Sequence, residues 1–340
     1  MVAQRPSTPA PDAVPASACR ICGSTAVLGR HTATEMMFGT RERFGYFQCA
    51  HCLCLQINTI PDDLARHYAS GYYSYRPAQR RANPVKRWAA RLRDRHAVFG
   101  GGGLGRLLFA RSPVVELRSL RPLQLQRDSR VLDVGCGAGF LVFALGEIGL
   151  RHAEGIDPFV PEPIVYDNGV KVRKRDIFQA EGPWDAIMFH HSFEHLADPG
   201  ATLARVAELL APGGQCLLRV PTVSSLAWRE YGVDWVQLDA PRHLHLFAHE
   251  SIRHLAAAHG FEVEAVVCDG TAFQFWGSEQ YRMGIPLNDE RSFARNPGAG
   301  LFSVAQIAEF TRRSLQLNRD QQGDQAAFYL RKRRPAAPPL

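Results

Sequence analysis

Four groups of residues in this 340-residue chain have types and spacings suited to chemistry. The first is VLDVGCGAGF at 131–140, followed by GIDP at 155–158. Val131, Leu132 and Val134 supply a buried strand, and Gly135, Gly137 and Gly139 allow a tight turn and a close approach of backbone to ligand. The helix predicted over 139–149 offers free N–H groups and the positive end of its dipole. Asp157, 18 residues beyond Gly139, is placed to grip ribose hydroxyls from the tip of the next strand. The pattern predicts a nucleoside-cofactor site.

The second group is cysteine. Cys19-x-x-Cys22 is followed after 26 residues by Cys49-x-x-Cys52, the spacing of a zinc ribbon with thiolates at roughly 2.3 Å from the metal. Gly23 follows the first knuckle, where a left-handed residue is wanted, and Leu53 follows the second; His51 and Cys54 are alternative ligands. A closed four-cysteine site has no open coordination position, so its predicted role is structural. Nothing in the sequence suggests export, which disfavours disulfides. Cys136, Cys216 and Cys268 read as buried thiols.

The third group is His190, His191, Glu194 and His195, and the fourth is Asp239-Ala-Pro-Arg242-His243-Leu-His245. A histidine with pKa about 6.5 suits a general base, and a neighbouring carboxylate can fix its tautomer. Arg242 reads as a cation for a phosphate or carboxylate, and alternation puts His243 and His245 on one face. His191-x-x-Glu194-His195 also matches the H-x-x-E-H zinc-protease pattern, but that pattern needs a helix and here it follows an apolar strand.

The glycine spacing is one residue short of the dinucleotide fingerprint, and Asp133 lies inside the strand. Both details resemble motif I of the class I S-adenosylmethionine-dependent methyltransferases, whose loop wraps a methionine moiety. Further along come Asp176 in KRDIF after a predicted strand at 170–174, a strand at 186–189, LLAPGG at 209–214 and a strand at 215–220. This order resembles that family from about 116 to 268. The resemblance implies an α/β fold: a Rossmann-like seven-stranded sheet, mostly parallel, with strands at 261–267 and 326–330 and the last antiparallel. It implies S-adenosylmethionine as cofactor, held by Asp133, Gly135, Cys136, Gly137, Gly139, Asp157, Pro158, Ile177 and His190, with Asp176 on adenine. It places the acceptor beside His195, Glu194, His243 and His191.

WVQLDAPRHLHLF at 235–247 resembles a subgroup from polysaccharide and sugar-modifying pathways. Similar enzymes carry a zinc-plus-tyrosine segment in front of the catalytic domain, which brings Tyr72, Tyr73 and Tyr75 toward substrate. Trp228, Tyr231 and Trp235 would roof the acceptor, and Phe273, Phe275 and Trp276 would line it. Some related O-methyltransferases hold magnesium through E-x-x-E-H at this point; histidine at 191 replaces their first glutamate and weakens a hard-cation site. The implied reaction is O-methylation of a small molecule, such as a nucleotide-linked or phosphorylated sugar. C-methylation of a keto-sugar and an inert cofactor-binding or regulatory protein are the alternatives.

Organisation and charge complete the reading. Residues 1–18, rich in Pro, Ala and Ser, form a disordered lead-in without an apolar signal core. A zinc-binding module and tyrosine loop follow at 19–75, a basic helical linker at 76–115 and the methyltransferase domain at 116–340. No apolar run approaches the ~20 residues of a membrane span, and the expected location is cytoplasmic. The net charge is +7, with eight Arg or Lys and one acid, Asp94, between Arg76 and Arg95. The helix after Pro84 is expected to turn Trp88, Ala89, Leu92 and Val98 inward. Aromatics do not interleave these cations as stacking platforms would, which disfavours nucleic acid and leaves peripheral membrane contact through the basic helix open. Oligomeric state is not legible.

Overall fold

The computed structural model describes residues 18–68 and 83–333, so Tyr72, Tyr73 and Tyr75 lie outside the described residues. An antiparallel module comes first: β1 (Val27–Thr34), β2 (Arg43–Cys49) and β3 (Leu55–Ile57). Then come α1 (Pro84–Phe99), α2 (Gly103–Arg111) and α3 (Val115–Arg118). The first half of the main sheet follows: β4 (Arg130–Val134), α4 (Phe140–Glu147), β5 (His152–Ile156), β6 (Ile164–Val165) and β7 (Lys171–Arg173). The second half begins with β8 (Trp184–His190), α5 (Pro199–Leu209) and β9 (Leu210–Pro221). It continues through α6 (Leu226–Tyr231), β10 (His245–Leu246), α7 (His249–Ala258) and β11 (Phe261–Cys268), and ends with α8 (Phe273–Arg282), α9 (Val304–Arg319) and β12 (Gln325–Lys332).

The main sheet runs β11-β12-β9-β8-β4-β5-β7-β6. The five central strands β9, β8, β4, β5 and β7 are parallel, and β12 is antiparallel to both β9 and β11. The sheet has eight strands where seven were expected; the addition is the two-residue β6, hairpinned antiparallel onto β7. Strands buried on both faces must be apolar throughout. Thus Val131 packs with α4 and Leu120 on one side, while Leu132 packs with Phe189 and Leu203 on the other. The chain winds one way from β4 through β5 and the other way from β8 through β9. The crevice beyond the carboxyl ends of β4 and β8 is therefore where ligands bind in such sheets. The glycine loop leaves β4 and the His190–His195 segment leaves β8, side by side.

The small sheet has the order β1-β2-β3-β10, and its last strand comes from the main domain, at His245–Leu246. His245 pairs with Gln56 and Leu246 with Leu55. The boundary expected after residue 75 therefore does not isolate the module, whose sheet closes only with residues 245–246. Trp228, Tyr231 and Trp235 pack with Tyr46, Leu55 and Ile57 in one buried cluster. They join the module to the domain rather than roofing an acceptor.

Two other expectations are corrected. Trp88 is 55% exposed, because the first turns of α1 extend past the core and only Asp94, Ala97 and Val98 are buried along it. Cys136 is only partly buried, on the glycine loop rather than in the core. No described helix is long and apolar enough to cross a membrane.

Candidate active site

The glycine loop has the backbone its composition predicts: Gly135, Gly137 and Gly139 take φ of 71°, 56° and 81°. A Cβ on Gly135 would lie 2.5 Å from Ser192 Cβ, so this glycine lets the loop lie flat against the turn after β8. Ser192 Oγ ties the two by donating to the Val134 carbonyl at 2.6 Å. Asp157 closes the loop from the other side, with Oδ2 accepting from Gly137 N–H at 2.9 Å and Oδ1 from Phe159 N–H at 2.8 Å. Asp133 is buried below, and its Oδ1 has no hydrogen-bond partner. Burial, and then the charge of Asp157, raises Asp133 well above the carboxylate range; burial also raises Asp157 against the pull of its amides.

A cavity of about 1340 Å³ opens over this loop. Asp133, Gly135, Cys136, Gly137, Asp157, Pro158, Asp176, Ile177 and His190 line one end. Gly139 does not; it caps α4 and faces Val172, where a Cβ would come within 2.4 Å. Asp176 also caps the short turn at 177–179 through Gln179 N–H, so part of its bonding capacity is local. Both ring nitrogens of His190 are buried without partners.

The third and fourth groups meet at the other end of the same cavity. The rings of His195 and His243 lie 4.8 Å apart. His195 Nδ1 is 2.8 Å from the Arg242 carbonyl, and His243 Nδ1 is 2.7 Å from the Gln237 carbonyl. A carbonyl only accepts, so both rings carry their proton on Nδ1 and leave Nε2 with a lone pair. The Tyr68 hydroxyl oxygen, 3.2 Å from His195 Nδ1, then accepts from the same N–H. Glu194 is fully buried beside the two rings, with Oε1 at 3.8 Å from His243 Nε2 and 3.4 Å from His191 Nδ1. Burial opposes its charge, but contact with His191 and the nearness of His195, His243 and His191 outweigh it and hold the group at about 2. Burial, then His195, lowers His243 to about 4. One ligand atom from each of Glu194, His195 and His243 fits within 4.8 Å of the others, a grouping that could hold a metal ion.

Arg242 does not face a substrate. Fully buried, it donates from Nε to Asp239 Oδ2 at 3.0 Å, from Nη2 to Asp239 Oδ1 at 2.6 Å and Glu35 Oε1 at 3.1 Å, and from Nη1 to the His67 carbonyl at 3.1 Å. Its donors are used by protein, which overturns the expected phosphate or carboxylate contact. Nor does His245 share the cavity with His243. It sits in β10, stacked on Phe247, and burial followed by the charge of Arg20 lowers it to about 3. Phe273 and Trp276 do line the cavity, whereas Phe275 is buried against Phe310.

Several lining residues escaped sequence reasoning: Met37, Leu64 and Tyr68 of the module, with Val236, Tyr281 and Leu287 opposite. Only Val236 falls in a stretch singled out above, 235–247, and only the folded chain brings the six together. Away from the cavity, Cys19, Cys22, Cys49 and Cys52 converge, with Cys19 Sγ 3.5 Å from Cys52 Sγ and Cys22 Sγ 3.6 Å from Cys49 Sγ. Tetrahedral thiolates at 2.3 Å from a metal would stand about 3.8 Å apart. Gly23 and Leu53 take φ of 72° and 62° after the two knuckles. Cys54 turns away to the Leu55 carbonyl, and His51 meets the ring of His254.

The family described as "Methyltransferase domain" matches residues 109–266. A ubiquinone biosynthesis O-methyltransferase of Xylella fastidiosa strain 9a5c is 31% identical over 176 residues, covering 45% of this chain and 69% of that protein. The chain belongs to the S-adenosylmethionine-dependent methyltransferases. A protein of the same name from Azorhizobium caulinodans is 32% identical over 157 residues, and the match spans 41% of this chain and 60% of the relative. Among solved structures, a mycolic acid cyclopropane synthase bound to S-adenosylhomocysteine aligns at a TM-score of 0.42 with 18% identity, over 68% of this chain and 86% of that one.

The residues of this methyltransferase suit the cofactor of its family. An unpartnered, buried Asp133 oxygen and the raised Asp157 favour a cationic ligand, whose charge would restore theirs. The partnerless His190 nitrogens add hydrogen-bonding capacity on the same wall. The arrangement of Arg242 makes a prediction about stability. Replacing it with Ala leaves Asp239 and Glu35 as uncompensated buried charges, and chemical denaturation should show a loss of about 3–5 kcal/mol. An unchanged unfolding midpoint would contradict the reading of this cluster.

Proposed function

We propose that the protein transfers the methyl of S-adenosylmethionine to a hydroxyl oxygen of a small molecule, with His195 and His243 handling the hydroxyl proton. One observation carries this reading: a single cavity joins the glycine loop and its acids to two histidine Nε2 lone pairs. When bound, the cofactor supplies an electrophilic methyl. Asp157 would grip the ribose hydroxyls, Asp133 and the glycine-loop amides the methionine end, and Asp176 with Ile177 the adenine. His195 would take the acceptor proton on Nε2 as the methyl passes from the cofactor's sulfonium sulfur to the hydroxyl oxygen, which leaves a neutral thioether. Burial holds His243 at about 4, which makes that ring a weak base and leaves the role to His195. Glu194 places a negative charge behind both rings to offset the imidazolium that forms.

The acceptor wall is mostly apolar and aromatic: Met37, Leu64, Tyr68, Phe273, Trp276 and Tyr281. Two arginines line the cavity among the described residues. Arg175 adjoins Asp176 at the adenine end, and Arg219 has its Nε held by Asp269 at 2.7 Å. These features favour an uncharged acceptor with a flat or apolar body over the nucleotide-linked or phosphorylated sugar expected from the sequence. A second reading has an observation of its own. Glu194, His195 and His243 converge with acceptor atoms only, so a divalent ion could bind there and hold the acceptor oxygen.

The cluster of Cys19, Cys22, Cys49 and Cys52 is read as a structural zinc site, since its four sulfurs are closed by protein and stand apart from the cavity.

Replacing His195 or His243 by Ala should reduce turnover about 10²–10⁴-fold with cofactor affinity nearly intact, measured with a phenolic and alcoholic acceptor panel. Full turnover in both variants would rule out the base assignment. For zinc, elemental analysis of the purified protein should find about one equivalent, lost in Cys19→Ser together with thermal stability. A Cys19→Ser protein that keeps both its metal and its melting temperature would refute the site.

A further inference from the structure

We propose that Glu35, on the N-terminal module, is a positioning residue for methyl transfer: it pins Arg242, whose main-chain carbonyl orients His195. This rests on His195 being the proton acceptor.

Glu35 follows β1, is fully buried and does not line the cavity, so it cannot touch substrate. Its Oε1 accepts from Phe38 N–H at 2.9 Å and from Arg242 Nη2 at 3.1 Å. Its Oε2 accepts from Thr40 N–H at 2.9 Å and Thr40 Oγ1 at 3.2 Å. Burial opposes its ionisation, but the Phe38 and Thr40 amides, with Arg242, keep it below the ordinary carboxylate range. A rigid, charged anchor thus reaches from the module into the main domain. Arg242 lies over the Phe38 ring at 5.3 Å, which limits its plane.

Three successive residues repeat the same connection. Arg242 is gripped by Glu35 on the module side, and its carbonyl faces His195 Nδ1. His243 accepts from the module's Tyr46 hydroxyl at 2.9 Å through its carbonyl, while its ring stands beside Glu194. Leu244 accepts from Ile57 N–H at 3.0 Å and donates its own N–H to the Glu194 carbonyl at 2.9 Å. The segment 242–244 is therefore a strap between the module and the catalytic group. Of its module ties, the Glu35–Arg242 contact is the ionic one, and Arg242's fixed fork of donors makes it directional. Without it, Asp239 alone would hold the guanidinium near Nη2, and the carbonyl that sets the His195 tautomer could drift.

Glu35→Gln preserves shape and removes the charge. The expected result is a turnover loss of about 10–100-fold, as for other residues that orient a catalytic ligand, with cofactor affinity within about twofold of wild type. A second readout is independent of activity: ¹⁵N imidazole NMR should show a single Nδ1–H tautomer for His195 in wild type and a mixture in Glu35→Gln. Should Glu35→Gln melt below the assay temperature, Glu35→Asp, which retains the carboxylate, is judged by the same two readouts. Wild-type turnover together with a wild-type His195 tautomer in the folded variant would overturn the proposal. The two readings fail separately: full turnover in His195→Ala removes the base assignment, whereas wild-type turnover with an unmoved tautomer in Glu35→Gln removes the Glu35 clamp.

Discussion

A buried guanidinium needs opposite charge close by, and Arg242 finds it both in its own loop and in Glu35, 207 residues away along the chain. Asp239 supplies a paired carboxylate from the same loop, and Glu35 supplies a second from the N-terminal module. The contact cannot be made unless the module seats on the main domain. Once it is made, the strand at 245–246 completes the module's sheet and the cavity acquires Met37, Leu64 and Tyr68 as walls. The four-cysteine cluster belongs to the same assembly, because Gln56, paired with His245 across the strands, donates from Nε2 to Cys19 Sγ at 3.0 Å.

The cavity is electrostatically divided. At the donor end two carboxyls are raised by burial and await a cation. At the acceptor end Glu194 stays ionised among three histidines, and two of those rings are fixed by main-chain carbonyls. In the proposed reaction, a proton arriving from an acceptor hydroxyl would therefore enter a place where negative charge is already in position, while the cofactor's positive charge would be met by different acids. Keeping the two tasks on separate loops, after β4–β5 and after β8, follows from the switch in winding direction at the sheet's centre.

Much of this was legible in the chain. The glycine turn, Asp133, Asp157 and the strand order follow local rules of periodicity and turn chemistry, and they appear where the residues predict. The fourth group was found but partly misread. Arg242 has the look of a substrate cation in a polar loop, and nothing local shows that Asp239 folds back on it or that Glu35 reaches it. Trp228, Tyr231 and Trp235 read equally well as a roof or as packing until the module is placed against them. Glu35 gave no signal at all, since one acid between two cysteine pairs is ordinary, and its role exists only through a distant partner. Trp88 failed for another reason: periodicity gives a helix an apolar face, but not the extent of the core beneath it.

Isothermal titration of the full chain with S-adenosylmethionine tests the central claim most directly. The account predicts one-site binding, weakened about tenfold or more by Asp157→Asn, which removes a charged hydrogen-bond acceptor of the ribose while the backbone stays folded. Absence of binding at millimolar cofactor, or binding indifferent to Asp157→Asn, would contradict it.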